Sequence, residues 1–242
     1  MSQQAVALII GAGDATGGAI AKRFAREGYL ACLVRRSGDK LVPLVEEIEK
    51  AGGTARGFGC DARDEEAVIN LFAEVEESVG PIEVVVFNPG ANVNFPIRET
   101  TSRVYRKVWE MACFAGFLVG REAARHMVPR NRGTILFTGA TASVRGGKGF
   151  SAFSGAKHAL RALAQSMARE LGAEGIHVAH VVIDGAIDSA FIREMFGDAL
   201  EKRGPDAMLA PDDIAETYWN IHAQRRSAWT FETDLRPWLE PW

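Results

Sequence analysis

The heptapeptide Gly11-Ala12-Gly13-Asp14-Ala15-Thr16-Gly17 follows an apolar run, Ala5 to Ile10, and leads into the helical sequence Gly18-Ala19-Ile20-Ala21-Lys22-Arg23-Phe24. Glycines let a backbone turn sharply and come close to a ligand, and the free N–H groups at a helix start favour an anion. Gly11, Gly13, Asp14, Thr16 and Gly17 are therefore candidates to cradle a pyrophosphate. A glycine turn alone is common; a strand before it and a helix after it make the signal specific. The second apolar run, Leu30 to Val34, ends in Arg35 and Arg36, where a dinucleotide-binding chain commonly holds a carboxylate for the ribose hydroxyls of NAD. Two guanidiniums there favour a phosphorylated ribose, since each can grip a phosphate with paired hydrogen bonds. The expected cofactor is NADP(H), with NAD(H) as the alternative. The competing reading is two solvated arginines ahead of the Ser37-Gly38 turn.

These residues need a scaffold, and the hydrophobic pattern supplies one. Ala5 to Ile10, Leu30 to Val34, Thr54 to Cys60, Ile82 to Asn88, Thr134 to Thr138, His177 to Ile183 and Trp229 to Leu235 read as strands. Segments of helical period lie between them, marked by Leu41, Leu44, Val45 and Ile48, by Val68, Leu71, Phe72, Val75 and Val79, and by Leu160, Leu163, Met167 and Leu171. Such alternation predicts an α/β fold, a doubly wound parallel sheet of about seven strands with helices on both faces. At 242 residues, 47% of them hydrophobic, the whole chain, 1–242, is expected to form one such domain.

Asp61 follows the third strand, Asn88-Pro89-Gly90 follows the fourth, and Lys157 falls in a long helix. With these and the glycine loop, nearly the whole chain resembles the short-chain dehydrogenase/reductase family. The resemblance implies a Rossmann-type domain, a nicotinamide cofactor, a small-molecule substrate and a homodimer or homotetramer. It makes Asp61 a partner of the adenine with Ala62 as its neighbour, and it makes Asn88 and Gly90 line the cofactor floor. Lys157 would bind the ribose of the nicotinamide half. Ile187 and Ser189 match the loop beside the nicotinamide, with Asp184 in place of that loop's usual proline.

The family's catalytic set is asparagine, serine, tyrosine and lysine, and the matching positions here are Cys113, Ala140, Phe153 and Lys157. Only the lysine is kept. Reducing a carbonyl requires a proton donor and hydrogen-bond donors for the charge that grows on oxygen. Phenylalanine has no proton for the lysine cation one turn away to loosen. Two functions follow as expectations: an oxidoreductase of small carbonyls, alcohols or activated alkenes with a non-standard proton source, or a cofactor-binding protein without turnover. Tyr29, Tyr105 and Tyr218 could replace the phenol only through a geometry that the pattern does not predict. Thr138, Thr141, Ser143, Ser151 and Ser154 offer hydroxyls nearby in sequence.

Composition closes off other classes. A net charge of -3 gives no basic excess for nucleic acid or an anionic membrane, and no apolar run reaches the roughly 20 residues that span a bilayer. Met1 to Gln4 lacks the pattern of a secretory signal, so the expected location is the cytoplasm. Cys32, Cys60 and Cys113 read as buried reduced thiols, and His126, His158, His177, His180 and His222 lack metal-ligand spacing. The aromatic stretch from Trp229 to Trp242 is expected to dock on the rest of the chain or on a second copy.

Overall fold

The apolar runs form one parallel sheet in the computed structural model, which describes residues 4–194 and 204–240. Its strands are β1 (Val6–Ile10), β2 (Leu30–Arg35), β3 (Thr54–Gly59), β4 (Ile82–Phe87), β5 (Gly133–Thr138), β6 (Ile176–Ile183) and β7 (Glu232–Leu235). They lie in the order β3-β2-β1-β4-β5-β6-β7. Strands β1, β4 and β6 are buried almost throughout because helices cover both faces, so they read as unbroken apolar runs and not as alternating ones.

One face carries α1 (Thr16–Arg26), α2 (Val42–Lys50) and α7 (Pro211–His222) around Ile9, Phe24, Leu33, Ile48 and Tyr218. The other carries α3 (Glu65–Ser78), α5 (Ala115–Met127) and α6 (Ser151–Leu171) around Leu8, Phe72, Phe87, Phe137 and Leu160. Chain order reverses between β1 and β4, and there the carboxyl ends of the strands open a crevice suited to a ligand.

One helix is irregular, and one strand boundary needs correction. The segment ahead of Cys113 is not one regular helix: α4 (Ser102–Trp109) passes through a π-helical turn, Glu110–Phe114, before α5 begins. The wide turn rotates the sequence around Cys113 and buries that side chain against α6. Strand β7 starts at Glu232, not Trp229: the Phe231 carbonyl still accepts from the His180 N–H at 2.7 Å, while the Trp229 ring stacks flat on His177, 4.7 Å between centroids. Residue Trp242, included in the aromatic tail, lies outside the described residues. Among the described residues no helix is long and apolar enough to cross a membrane, and no cluster of three or more potential ligands could hold a metal. Cys32, Cys60 and Cys113 are free and buried, as expected.

Candidate active site

The crevice has two lobes that meet at Gly11 and Gly13. At their junction Gly11 has φ +86°, a conformation that favours glycine, and the Asn88 side-chain amide donates to its carbonyl at 3.1 Å. A Cβ on Gly17 would stand 2.3 Å from the Gly11 oxygen, so only glycine lets α1 begin so close to β1. A Cβ on Gly13 would meet nothing, and this open space faces the crevice. Helix α1 has no side-chain cap on its N-terminal N–H groups and no acidic residue in its first turn. The arrangement fits a diphosphate across the helix start. Asp14, almost fully exposed, lies 3.8 Å from Arg35 and lines the larger lobe with Thr16.

The smaller lobe, about 340 Å³, is lined by Arg35, Arg36, Lys40, Asp61, Ala62 and Arg63, among others. Four cations against one carboxylate give it a net positive charge. Arg63 clasps Asp61, with Nε 2.9 Å from Oδ1 and Nη2 2.5 Å from Oδ2, and this pairing holds the Asp61 carboxyl below the usual range. Asp61 lines this lobe with its charge already matched by Arg63, a neighbour that sequence reasoning missed. The acid-any-basic spacing of Asp61 and Arg63 was the signal available.

The larger lobe, about 650 Å³, contains Asn88, Gly90, Ala140, Phe153, Lys157, Ile187 and Ser189. Lys157 is buried, and its ammonium donates to the carbonyls of Thr138 at 2.8 Å and Pro89 at 3.4 Å. Burial pushes its pKa down to about 8, and no carboxylate offsets the loss of water. Phe153 and Cys113 pack in one apolar cluster with Val108, Ala112, Ala142 and Ala156, and Ala140 packs against it. The structure therefore brings together the four positions singled out in the sequence. Burial pushes the Cys113 thiol up, which makes it inert as a nucleophile or acid.

Hydroxyls are the further candidate donors, and most have a neighbour within hydrogen-bond reach, Ser143 and Ser189 only as acceptors. Thr138 Oγ1 and the Tyr218 hydroxyl are 2.7 Å apart, Thr141 donates to Asp184 at 2.6 Å, and Ser143 accepts from the Ala140 N–H. Ser189 Oγ accepts from the Ile192 N–H. Ser154 lines the lobe, is buried, and its Oγ has no hydrogen-bond partner; Ser151 Oγ is likewise unpartnered but does not line the lobe. No tyrosine lines either lobe. Tyr218 is fully buried behind Thr138, Tyr29 pairs with His222, and Tyr105 lies against Gly155.

Sequence reasoning also missed Asn92, Gly139 and Arg145, which line the same lobe from loops without a pattern, and Ile192, which lines it from a helical segment at 190–194. The departure at Asp184 has a structural partner: its carboxylate, nearly buried, lies 2.9 Å from Arg236 in the tail.

Residues 5–200 match the profile of the family described as short chain dehydrogenase. A gluconate 5-dehydrogenase of Gluconobacter oxydans is 30% identical over 82% of this chain and 79% of its own. A crystal structure of a short-chain dehydrogenase from Rhodopseudomonas palustris is 50% identical, covers 97% of this chain and 99% of its own, and superposes with a TM-score of 0.84. A metagenomic short-chain oxidoreductase crystallised in complex with NADP is 25% identical over 98% of each chain, with a TM-score of 0.82. The glycine loop, the crevice at the β1/β4 switch and the buried helical lysine thus have their counterpart in sequence: the chain belongs to the short-chain dehydrogenase family of oxidoreductases.

Proposed function

We propose that the protein is an NADP(H)-dependent oxidoreductase acting on a small carbonyl, alcohol or activated alkene, with a proton source other than tyrosine. The observation that carries this is the two-lobed crevice, which has four cations at one end, an uncapped helix start in the middle and Lys157 at the other end. Arg35 and Arg36 would grip the phosphate on the adenosine ribose, Asp61 and Ala62 would flank the adenine, and Gly11, Gly13, Asp14, Thr16 and Gly17 would hold the diphosphate. Asn88, Gly90, Ile187 and Ser189 would enclose the nicotinamide half, with Lys157 on its ribose. The NADP-bound relative supports the choice of cofactor.

NADPH supplies a hydride to carbon when bound; the chain must supply the proton to oxygen. Ser154 and Lys157 lie three residues apart, on one side of α6. The Ser154 hydroxyl, free of other partners but shut off from solvent in this conformation, would have to turn toward the lobe to donate to the substrate oxygen and recover a proton from the Lys157 ammonium, directly or through a water. Lysine with a pKa of about 8 is the stronger acid of the two and is close to the best value for neutral pH.

A second reading, a cofactor-binding protein without turnover, is favoured by the apolar cluster of Cys113, Ala140 and Phe153. The two separate on one assay. NADPH consumption should be followed with aldehydes, ketones, quinones and enones, using the native protein and Ala140→Ser/Phe153→Tyr. Native turnover supports the oxidoreductase. Turnover confined to the double variant supports the binding protein.

A further inference from the structure

Arg145 projects into the larger lobe from the loop after β5, half exposed. Its guanidinium makes no hydrogen bond to the described protein; Nη2 stops 3.7 Å from Asp184 Oδ1. Asp184 is anchored from several sides. Its Oδ1 accepts from Thr141 at 2.6 Å, its Oδ2 faces Arg236 at 2.9 Å, and its backbone N–H donates to the Leu235 carbonyl at 2.7 Å. The carboxylate therefore cannot follow Arg145 outward, but its field restrains the guanidinium at the lobe wall.

Among the described residues the charge lining the lobe is positive on balance. Its charged lining residues are Asp14, Arg145 and Lys157, and Asp14 belongs to the phosphate loop, facing Arg35. Beyond that loop the described wall is largely Ala140, Ala142, Phe150, Phe153, Ile187 and Ile192, with two cations and, among the described residues, no lining carboxylate. Lys157 already donates to two carbonyls. Arg145 keeps a planar fork of donors free, a shape that matches an oxyanion bidentately.

We infer that Arg145 is the receptor for an oxyanion on the substrate, positioned by Asp184, so that the preferred substrates are small oxo compounds bearing a carboxylate or phosphate. This rests on the oxidoreductase reading of the crevice, and the test separates the two. Binding to the NADP⁺-loaded protein and turnover with NADPH would be measured for two matched pairs, 4-oxopentanoate with its methyl ester and dihydroxyacetone phosphate with dihydroxyacetone. The anionic member of at least one pair should bind about tenfold tighter or more, the size of a charge-assisted contact. The pair with the larger ratio identifies the anion.

Arg145→Gln should abolish the preference while leaving NADPH affinity within about twofold, Arg145→Lys should keep part of it, and Asp184→Asn should narrow it through KM with little change in kcat. Equal binding of charged and neutral members, or an undiminished preference in Arg145→Gln, overturns the inference. A fall in NADPH affinity in that variant also overturns it, by assigning the guanidinium to the cofactor. Anion preference without any turnover keeps the receptor and sinks the oxidoreductase. Turnover without preference does the reverse.

Discussion

The Lys157 ammonium stands 5.9 Å from the centre of the Phe153 ring, one turn back along α6. An aromatic face attracts a cation, so the ring substitutes weakly for the water that Lys157 has lost. It supplies no proton. Phe153→Tyr would put a phenol into that same space beside the cation. Together with Ala140→Ser it should raise kcat/KM for carbonyl reduction by about 10²-fold or more. No gain, measured by steady-state NADPH oxidation, would mean that Phe153 does not stand where the proton is needed.

Ser154→Ala removes a lobe-lining hydroxyl whose Oγ has no hydrogen-bond partner. If Ser154 delivers the proton, kcat should fall about 10²-fold or more with NADPH affinity unchanged, while Ser154→Thr retains part of the rate. An unchanged kcat in the alanine variant would reject this donor.

Lys157 imposes a pH dependence on stability. Its pKa in the fold, about 8, lies below the ordinary 10.5, so between these values the unfolded chain binds more protons than the folded one. Stability tied to this group therefore rises as pH climbs from about 8 to 10.5, and the full cost of the buried cation is felt below pH 8. Lys157→Met should flatten this rise in urea unfolding curves, by an amount on the order of 3 kcal/mol across the window. Identical slopes in both proteins would show that Lys157 remains fully hydrated.

At the other lobe, Arg36→Ala should weaken NADPH binding by about 10- to 100-fold and leave NADH nearly unchanged, because only the phosphorylated ribose needs the guanidinium. Titrations followed by cofactor fluorescence read this directly. Tighter binding of NADH than NADPH to the native protein would refute the assignment.

Trp109, Phe114 and Phe117 stack along one side of α4 and α5, and Trp109 and Phe117 remain exposed. The homo-oligomer that the family resemblance implies would have this aromatic ladder available as a contact, since exposed apolar patches of this kind mark interfaces. Phe117→Glu should then shift the protein to monomer in sedimentation experiments. A native monomer would dismiss the contact.

Most of the sheet was legible because its information is local. Buried parallel strands must be apolar along their length, so six of the seven runs coincide with strands to within about one residue at either end. The phosphate loop was legible for the same reason: Gly11 to Gly17 carry their turn, helix start and close approach within one short segment. What failed was non-local. Nothing near Trp229 says that His177 will stack on it, and nothing in Glu110–Phe114 announces a π turn. Arg145 and Asp184 meet only because β5 and β6 end side by side. Cys113, Ala140 and Phe153 were found through the resemblance, whose spacing encodes a tertiary cluster that hydrophobic periodicity alone cannot express.

The pairing of Asp184 with Arg236 has a consequence for biogenesis. Residues near position 236 leave the ribosome long after the glycine loop, yet they clamp the carboxylate that restrains Arg145. A nascent chain can thus assemble its nucleotide cradle early and complete its substrate pocket only after β7 has zipped onto β6. Loss of this late edge would free Asp184 from Arg236 and, on the proposed reading, loosen the guanidinium meant for the substrate before it touched the glycine loop.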